Sequence, residues 1–199
     1  MMFFRALFLT TSLAVATFSV AHAEETAPSV GAVPPSVAEP TREARLDALF
    51  ADLKGDGAAA GRAESRILEI WLDADSDTVD LLMDWSLRAM ERKQYPRALD
   101  FLDRIILMEP DYVEGWNKRA TVYFLMDDYG SALADIARVL ELEPRHFGAL
   151  SGLGIILQEV GERDAALAAF RQALDLAPHL SSVGEALEAL ESETAGQDT

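Results

Sequence analysis

The chain has 199 residues, with 17 basic against 34 acidic side chains, a formal charge of −17 and no cysteine. A chain of this length can bury a core without staples, and the lack of cysteine excludes disulfides, thiol catalysis, CxxC metal sites and a lipid-modified bacterial N-terminus. The charge repels phosphate backbones and anionic surfaces, which argues against nucleic acid as a partner.

Residues 1–23, MMFFRALFLTTSLAVATFSVAHA, carry Arg5, an apolar run from Ala6 to Val20, and the small-residue pattern Ala21, His22, Ala23. This is the layout of a secretory signal peptide with an AxA cleavage site, and the run is short for a membrane span. The competing reading is an uncleaved N-terminal anchor. Cleavage after Ala23 would remove Arg5 and no other charged side chain, so the mature chain would be slightly more acidic still, with no second apolar stretch of spanning length. Export to the periplasm is the expectation. Residues 24–41 hold four of the eight prolines and no aromatic residue, the composition of a disordered linker.

Residues 42–78 predict a helical pair. Arg42 to Lys54 places Leu46, Leu49 and Leu53 on one face, and Ala59 to Asp73 places Ile67, Leu68, Trp71 and Leu72 on another, with GDGAAAG as the joint between them. The pair reads either as a degenerate repeat or as an N-terminal cap.

Pro110, Pro144 and Pro178 then recur with a spacing of 34. Placing them in register divides the chain into units 79–112, 113–146 and 147–180. Ala98, Ala132 and Ala166 align, as do Leu99, Leu133 and Leu167, then Leu102, Ile136 and Phe170, then Ile106, Leu140 and Leu174. Small alanines allow two helices to approach closely, and the larger residues four positions on fill the space beside them. Proline closes each second helix because it lacks the N–H that would continue the ladder. Residues 181–191 predict a capping helix, with Ser182 and Glu185 at capping-box spacing, and residues 192–199 a frayed tail.

The period and these columns resemble the tetratricopeptide repeat family. Trp116 and Tyr123 match its first-helix aromatics in the second unit, and Leu153, Gly154 and Gly161 its Leu-Gly and turn-glycine positions in the third. The first unit departs, with Leu82, Ser86 and Lys93 in those places, which predicts a looser helix contact there. The resemblance implies an all-α, right-handed α-α superhelix of three repeats with an N-terminal helical pair and a C-terminal capping helix. It also implies a working groove lined by the first helices: Asp80, Met83, Leu87 and Met90; Glu114, Asn117, Thr121 and Phe124; Gly148, Ser151, Ile155 and Gln158. Family members that clamp carboxylates do so with Lys, Arg and Asn at such places, and here Asn117 alone is suitable. The groove therefore reads as apolar with an acidic lip, fitted to a helix or peptide with apolar anchors and basic flanks. The competing reading of its Met and Phe is core.

DADSDTVDLLMD, residues 73–84, copies the first three ligand positions of a calcium loop with Asp73, Asp75 and Asp77. The template fails at its turn glycine, which is Thr78, and at its bidentate Glu, which is Asp84. In repeat register DTVD is the same element as DYVE, placing Asp77 as an N-cap and Asp80 in the first turn of a helix. His146 and His179 fall in successive inter-unit turns and read as surface residues without metal partners. No nucleophile elbow, phosphate loop, acid–base pair or cofactor motif stands out. The reading is an exported, monomeric, non-enzymatic scaffold of the bacterial envelope that binds a protein or peptide. The alternatives are a regulatory subunit of an envelope enzyme such as a cell-wall hydrolase, and a calcium-responsive binding protein.

Overall fold

The computed structural model describes residues 39–55 and 57–197. The signal-peptide, cleavage-site and anchor readings of residues 1–23, His22, most of the linker and the last two residues lie outside them. Among the described residues there are nine helices and no strand: α1 Arg42–Leu53, α2 Ala58–Leu72, α3 Asp77–Glu91, α4 Tyr95–Met108, α5 Val113–Leu125, α6 Tyr129–Leu142, α7 Phe147–Glu159, α8 Arg163–Leu176 and α9 Ser181–Gln197. None of the helices described is long and apolar enough to cross a membrane.

Three helical hairpins, α3–α4, α5–α6 and α7–α8, form the stack that the repeat period implied. Ala98, Ala132 and Ala166 are each fully buried, and beside them Leu102, Ile136 and Phe170 fill the hairpin interiors. The closest approach is at Gly154, where a Cβ would lie 2.5 Å from Phe170 Cδ1. The equivalent Ser86 is fully buried, and its hydroxyl donates to Met83 O at 2.8 Å. The first hairpin is nonetheless the least closely packed of the three, as the departures from the family pattern implied, with a small side chain and its satisfied hydroxyl in the glycine's place. Each second helix ends just ahead of its proline, with Glu109, Glu143 and Ala177 held at φ −132, −137 and −133 as residues preceding proline must be.

At the tip of each hairpin one residue adopts positive φ: Lys93 at 56°, Asp127 at 60° and Gly161 at 84°. These positions are equivalent in the repeat register, and the third alone is glycine. Successive hairpins stack through α4 on α5 and α6 on α7, and α9 closes the far end with Val183 and Leu190 against Leu167 and Phe170. Helix α9 starts at Ser181, so Ser182 lies inside its first turn rather than at the cap. It also runs on to Gln197, past the Glu191 end read from the sequence.

The helical pair α1–α2 has the expected bounds, but it is neither a leading repeat nor a cap on the end of the stack. It runs along one edge, across the inter-hairpin turns. Tyr112 donates its hydroxyl to Leu72 O at 2.6 Å, Trp71 stacks on His146, Arg145 pairs with Asp47, and His179 Nε2 lies 2.6 Å from Gly55 O. Its core is Leu46, Phe50, Leu53, Ile67 and Trp71 against Phe147 and Ala177. Leu68 and Leu72, expected to be inward, are 42% and 41% exposed. The reason is geometric: a helix laid on a row of turns buries a narrower stripe than one packed between two helices.

A non-glycine residue at left-handed φ is strained by roughly 1–2 kcal/mol. Lys93→Gly relieves that strain while loosening the unfolded chain, so it should stabilise the protein by up to about 1 kcal/mol. Gly161→Lys should destabilise it by about 1–2 kcal/mol. Urea unfolding of the two variants checks both signs.

Candidate functional site

The inner face of the stack is built from α3, α5 and α7, and a hollow of about 280 Å³ opens between α5 and α7. Six of the twelve sequence-predicted groove residues line it: Asn117, Thr121 and Phe124 from α5, and Gly148, Ser151 and Ile155 from α7. Gly148 and Gly152, one helical turn apart, leave the α7 wall without side chains, and with Ala120 and Ala149 they form the floor. That small-residue spacing is a signal present in the sequence which the groove reading used only at Gly148.

The remaining predicted residues lie elsewhere. Met83 is a correction: it is 3% exposed and belongs to the core of the first hairpin with Val79, Leu82 and Leu102. Leu87 and Met90 are half-buried against the same core, and Gln158 is exposed outside the hollow. The α2 C-terminal end stands beside α3, where Glu69 and Leu72 share a shallow concavity with Asp80, Leu87 and the edge of Met83.

The polar groups of the hollow are already engaged. Thr121 donates to Asn117 O at 2.9 Å, Ser151 to Phe147 O at 2.7 Å, and the Asn117 amide to Glu114 Oε2 at 3.0 Å. What remains for a ligand is apolar, chiefly the half-buried Phe124 ring and Ile155, which is 41% exposed. Phe124 also packs against the cluster containing Ile136 and Ile156, with its ring 6.0 Å from Tyr129, so it is core and wall together.

The acidic lip expected at Glu114 is turned inward. Glu114 is 3% exposed and His146 1%, and both were read from the sequence as surface residues. His146 Nδ1 accepts from the Ala149 N–H at 3.0 Å and so caps α7, which places the ring proton on Nε2, 3.0 Å from Glu114 Oε1. Lys118 Nζ lies 3.0 Å from Glu114 Oε2. Burial by itself raises the Glu114 carboxyl, but the His146 hydrogen bond and the Lys118 charge outweigh it and hold the group at about 2. Trp71 covers the imidazole, ring centroids 4.3 Å apart and planes 10° apart, although its own buried indole N–H finds no acceptor among the described residues. Burial pushes the neighbouring Tyr112 phenol up. This cluster fastens the strap to the α6–α7 turn.

The carboxylates of residues 73–84 serve the backbone. Asp73 Oδ1 accepts from Asp75 N at 3.0 Å, Asp80 Oδ1 from Ala74 N at 3.2 Å, and Asp84 pairs with Arg88. The N-cap of α3 is Ser76, without a side-chain cap bond, so Asp77 lies in the first turn rather than at the cap. Among the described residues no three of His, Asp and Glu are grouped to hold a metal ion.

Removing one partner of a buried, hydrogen-bonded pair leaves the other desolvated and unpaired. His146→Ala should therefore cost about 3–5 kcal/mol of folding stability at pH 7, whereas His179→Ala, at an exposed turn, should cost under about 1 kcal/mol. A carboxyl lowered in the folded state stabilises above its unfolded value near 4.5, and that contribution fades as pH falls toward 2. Chemical denaturation of wild type and both variants between pH 7 and pH 2 measures all of this.

Residues 86–151 and 148–180 match models of the tetratricopeptide repeat. A TPR repeat-containing protein of Rhizobium etli is 43% identical over 157 residues, which cover 78% of this chain and 77% of that one. Among solved structures, the first TPR of Spaghetti (RPAP3), bound to an HSP90 peptide, aligns with a TM-score of 0.58 at 18% identity, covering 60% of this chain and 95% of its own. MamA aligns with a TM-score of 0.56 at 19% identity, covering 69% of this chain and 78% of its own. With its recurring prolines, its stacked hairpins and this sequence identity, the chain belongs to the tetratricopeptide repeat family.

Proposed function

We propose that the chain is a non-enzymatic interaction scaffold that takes apolar side chains of a protein or peptide partner into the hollow between α5 and α7. The observation that carries this is the chemistry of the hollow: the Thr121 and Ser151 hydroxyls and one Asn117 N–H donate inside the protein, so Phe124 and Ile155 are left as the main contact surface. Occupation by an apolar anchor removes that surface from water without breaking the hydrogen bonds that the hydroxyls donate. That the structurally similar RPAP3 domain holds a peptide supports peptide binding as a use of this architecture. A carboxylate clamp is disfavoured, because Asn117 is committed to Glu114 and the hollow's lining has no Lys or Arg.

We place the scaffold in the bacterial cell envelope. The support is the signal-peptide layout of residues 1–23 and the bacterial source of the Rhizobium relative. Fractionation of a bacterium expressing the full chain should recover it in the periplasm about 23 residues shorter. A full-length product in the membrane pellet means an anchor, and a cytosolic product refutes export.

For the hollow, binders selected from a random peptide library on residues 24–199 should carry an apolar anchor. They should lose at least about tenfold in affinity on Ile155→Asp, a loss of about 1.4 kcal/mol. Ile155 is half in water, so the fold should survive the change, as circular dichroism checks. If no selected binder responded to Ile155→Asp, the hollow would be removed from consideration.

A further inference from the structure

Because the α1–α2 pair lies along an edge, no helix among the described residues stacks on the leading face of the first hairpin. In the later hairpins the equivalent face is interior. Gly115 sits under Ile105 and Ile106 of α4, and Val122 is fully buried. Arg119 makes a two-pronged pair with Asp135 at 2.7 and 2.8 Å and a further contact with Asp103 of α4. One repeat earlier, the same three α5 positions are Leu81, Arg88 and Trp85. Leu81 and Trp85 are 48% and 43% exposed, in a chain where this register position is otherwise covered by a helix.

The face has its own construction. Trp85 lies 5.6 Å from Phe101 of α4, the ring pair standing where the later hairpin has Arg119–Asp135. Arg97 lies over the Phe101 ring at 5.7 Å, and Trp85, Phe101, Arg88, Arg92 and Arg97 surround a hollow of about 370 Å³. Arg88 is paired with Asp84, whereas Arg92 and Arg97 have no carboxylate partner among the described residues. Unpaired arginines beside an aromatic pair whose Trp85 is exposed give this face a local positive charge on a chain that carries −17 overall.

We propose that this face docks an acidic amphipathic helix of a partner protein. The chain itself shows what such a face takes, since α4 on α5 and α6 on α7 are helices presenting an apolar stripe to the same register positions. The charge selects the partner: carboxylates flanking its stripe meet Arg92 and Arg97, and its apolar residues cover Trp85 and Leu81. A second copy fits less well. Two leading faces apposed would set arginine against arginine, and the outward side of α9 offers Ser181, Ser182, Glu185 and Glu188 with no large apolar residue for Trp85.

The test uses residues 24–199 and two synthetic helical peptides as long as α3. One carries leucines along one face and glutamates on its flanks, and its twin has lysine for every glutamate. Calorimetric titration should show saturable binding of the acidic peptide and at least tenfold weaker binding of the lysine twin. Trp85→Ala should weaken the acidic peptide at least tenfold, the double change Arg92→Glu with Arg97→Glu should reverse the preference between the peptides, and Ile155→Asp should leave binding unchanged. All these side chains except Phe101 are exposed, so the variants fold, as circular dichroism verifies. Absence of binding, binding blind to the charge reversal, or binding abolished by Ile155→Asp overturns the proposal. So does self-association in sedimentation equilibrium that is lost on Trp85→Ala, which would assign the face to a second copy.

Discussion

Everything in this molecule depends on how closely the two helices of a hairpin can approach. Ala98, Ala132 and Ala166 are fully buried at that crossing, and opposite them stand Ser86, Ala120 and Gly154, none larger than serine. With small residues on both sides the backbones come close enough for Leu102, Ile136 and Phe170 to pack against the opposite helix rather than hold it away. The third hairpin is the tightest, since Phe170 lies where any Cβ on residue 154 would have to be. Each hairpin built this way has a leading and a trailing face to cover, and stacking at the repeat period covers them.

Stacking alone leaves the edge of the array as a row of turns, and the α1–α2 strap is fastened there by polar contacts. The Glu114–His146 pair under Trp71 performs three tasks in one place. It caps α7, satisfies a buried carboxylate and gives the strap a flat surface to stack on. A single deletion there disturbs helix, turn and strap together, because none of the partners has water to fall back on. Tyr112, Arg145 and His179 repeat the pattern less deeply at the same edge.

The position of the strap has consequences for recognition on two sides. It stands beside the α3 part of the inner face, where it lines a second, shallower concavity, and apart from the α5–α7 hollow. It also leaves Leu81 and Trp85 in water at the leading face. The two surfaces differ in chemistry. The hollow is apolar with internally satisfied hydroxyls, whereas the leading face is aromatic with unpaired arginines, so the two proposed contact surfaces call for partners of different chemistry. The monomer expectation rested on polar caps at both ends, and α9 supplies only the one at the far end.

The sequence by itself determined the hairpins, their number, their bounds to within a few residues and the residues of their interiors. Those are set by local periodicity and by alanines and prolines recurring every 34 positions. It also located six of the residues of the hollow, because a repeat register fixes which helix face looks inward. Tertiary structure decided whatever depended on partners distant in the chain. Met83 became core, Glu114 and His146 became a buried pair, and Leu68 and Leu72 turned to solvent, and in each case the contacts responsible are ones that no local pattern records. Repeat register separates the two histidines, since His146 falls in the column of Tyr112 and Leu180 and His179 in that of Asp111 and Arg145, but the Trp71 indole and the Glu114 carboxylate that enclose His146 lie far upstream in the chain. The direction taken by a helical pair after a short joint is a balance of long-range contacts, and periodicity carries no record of it.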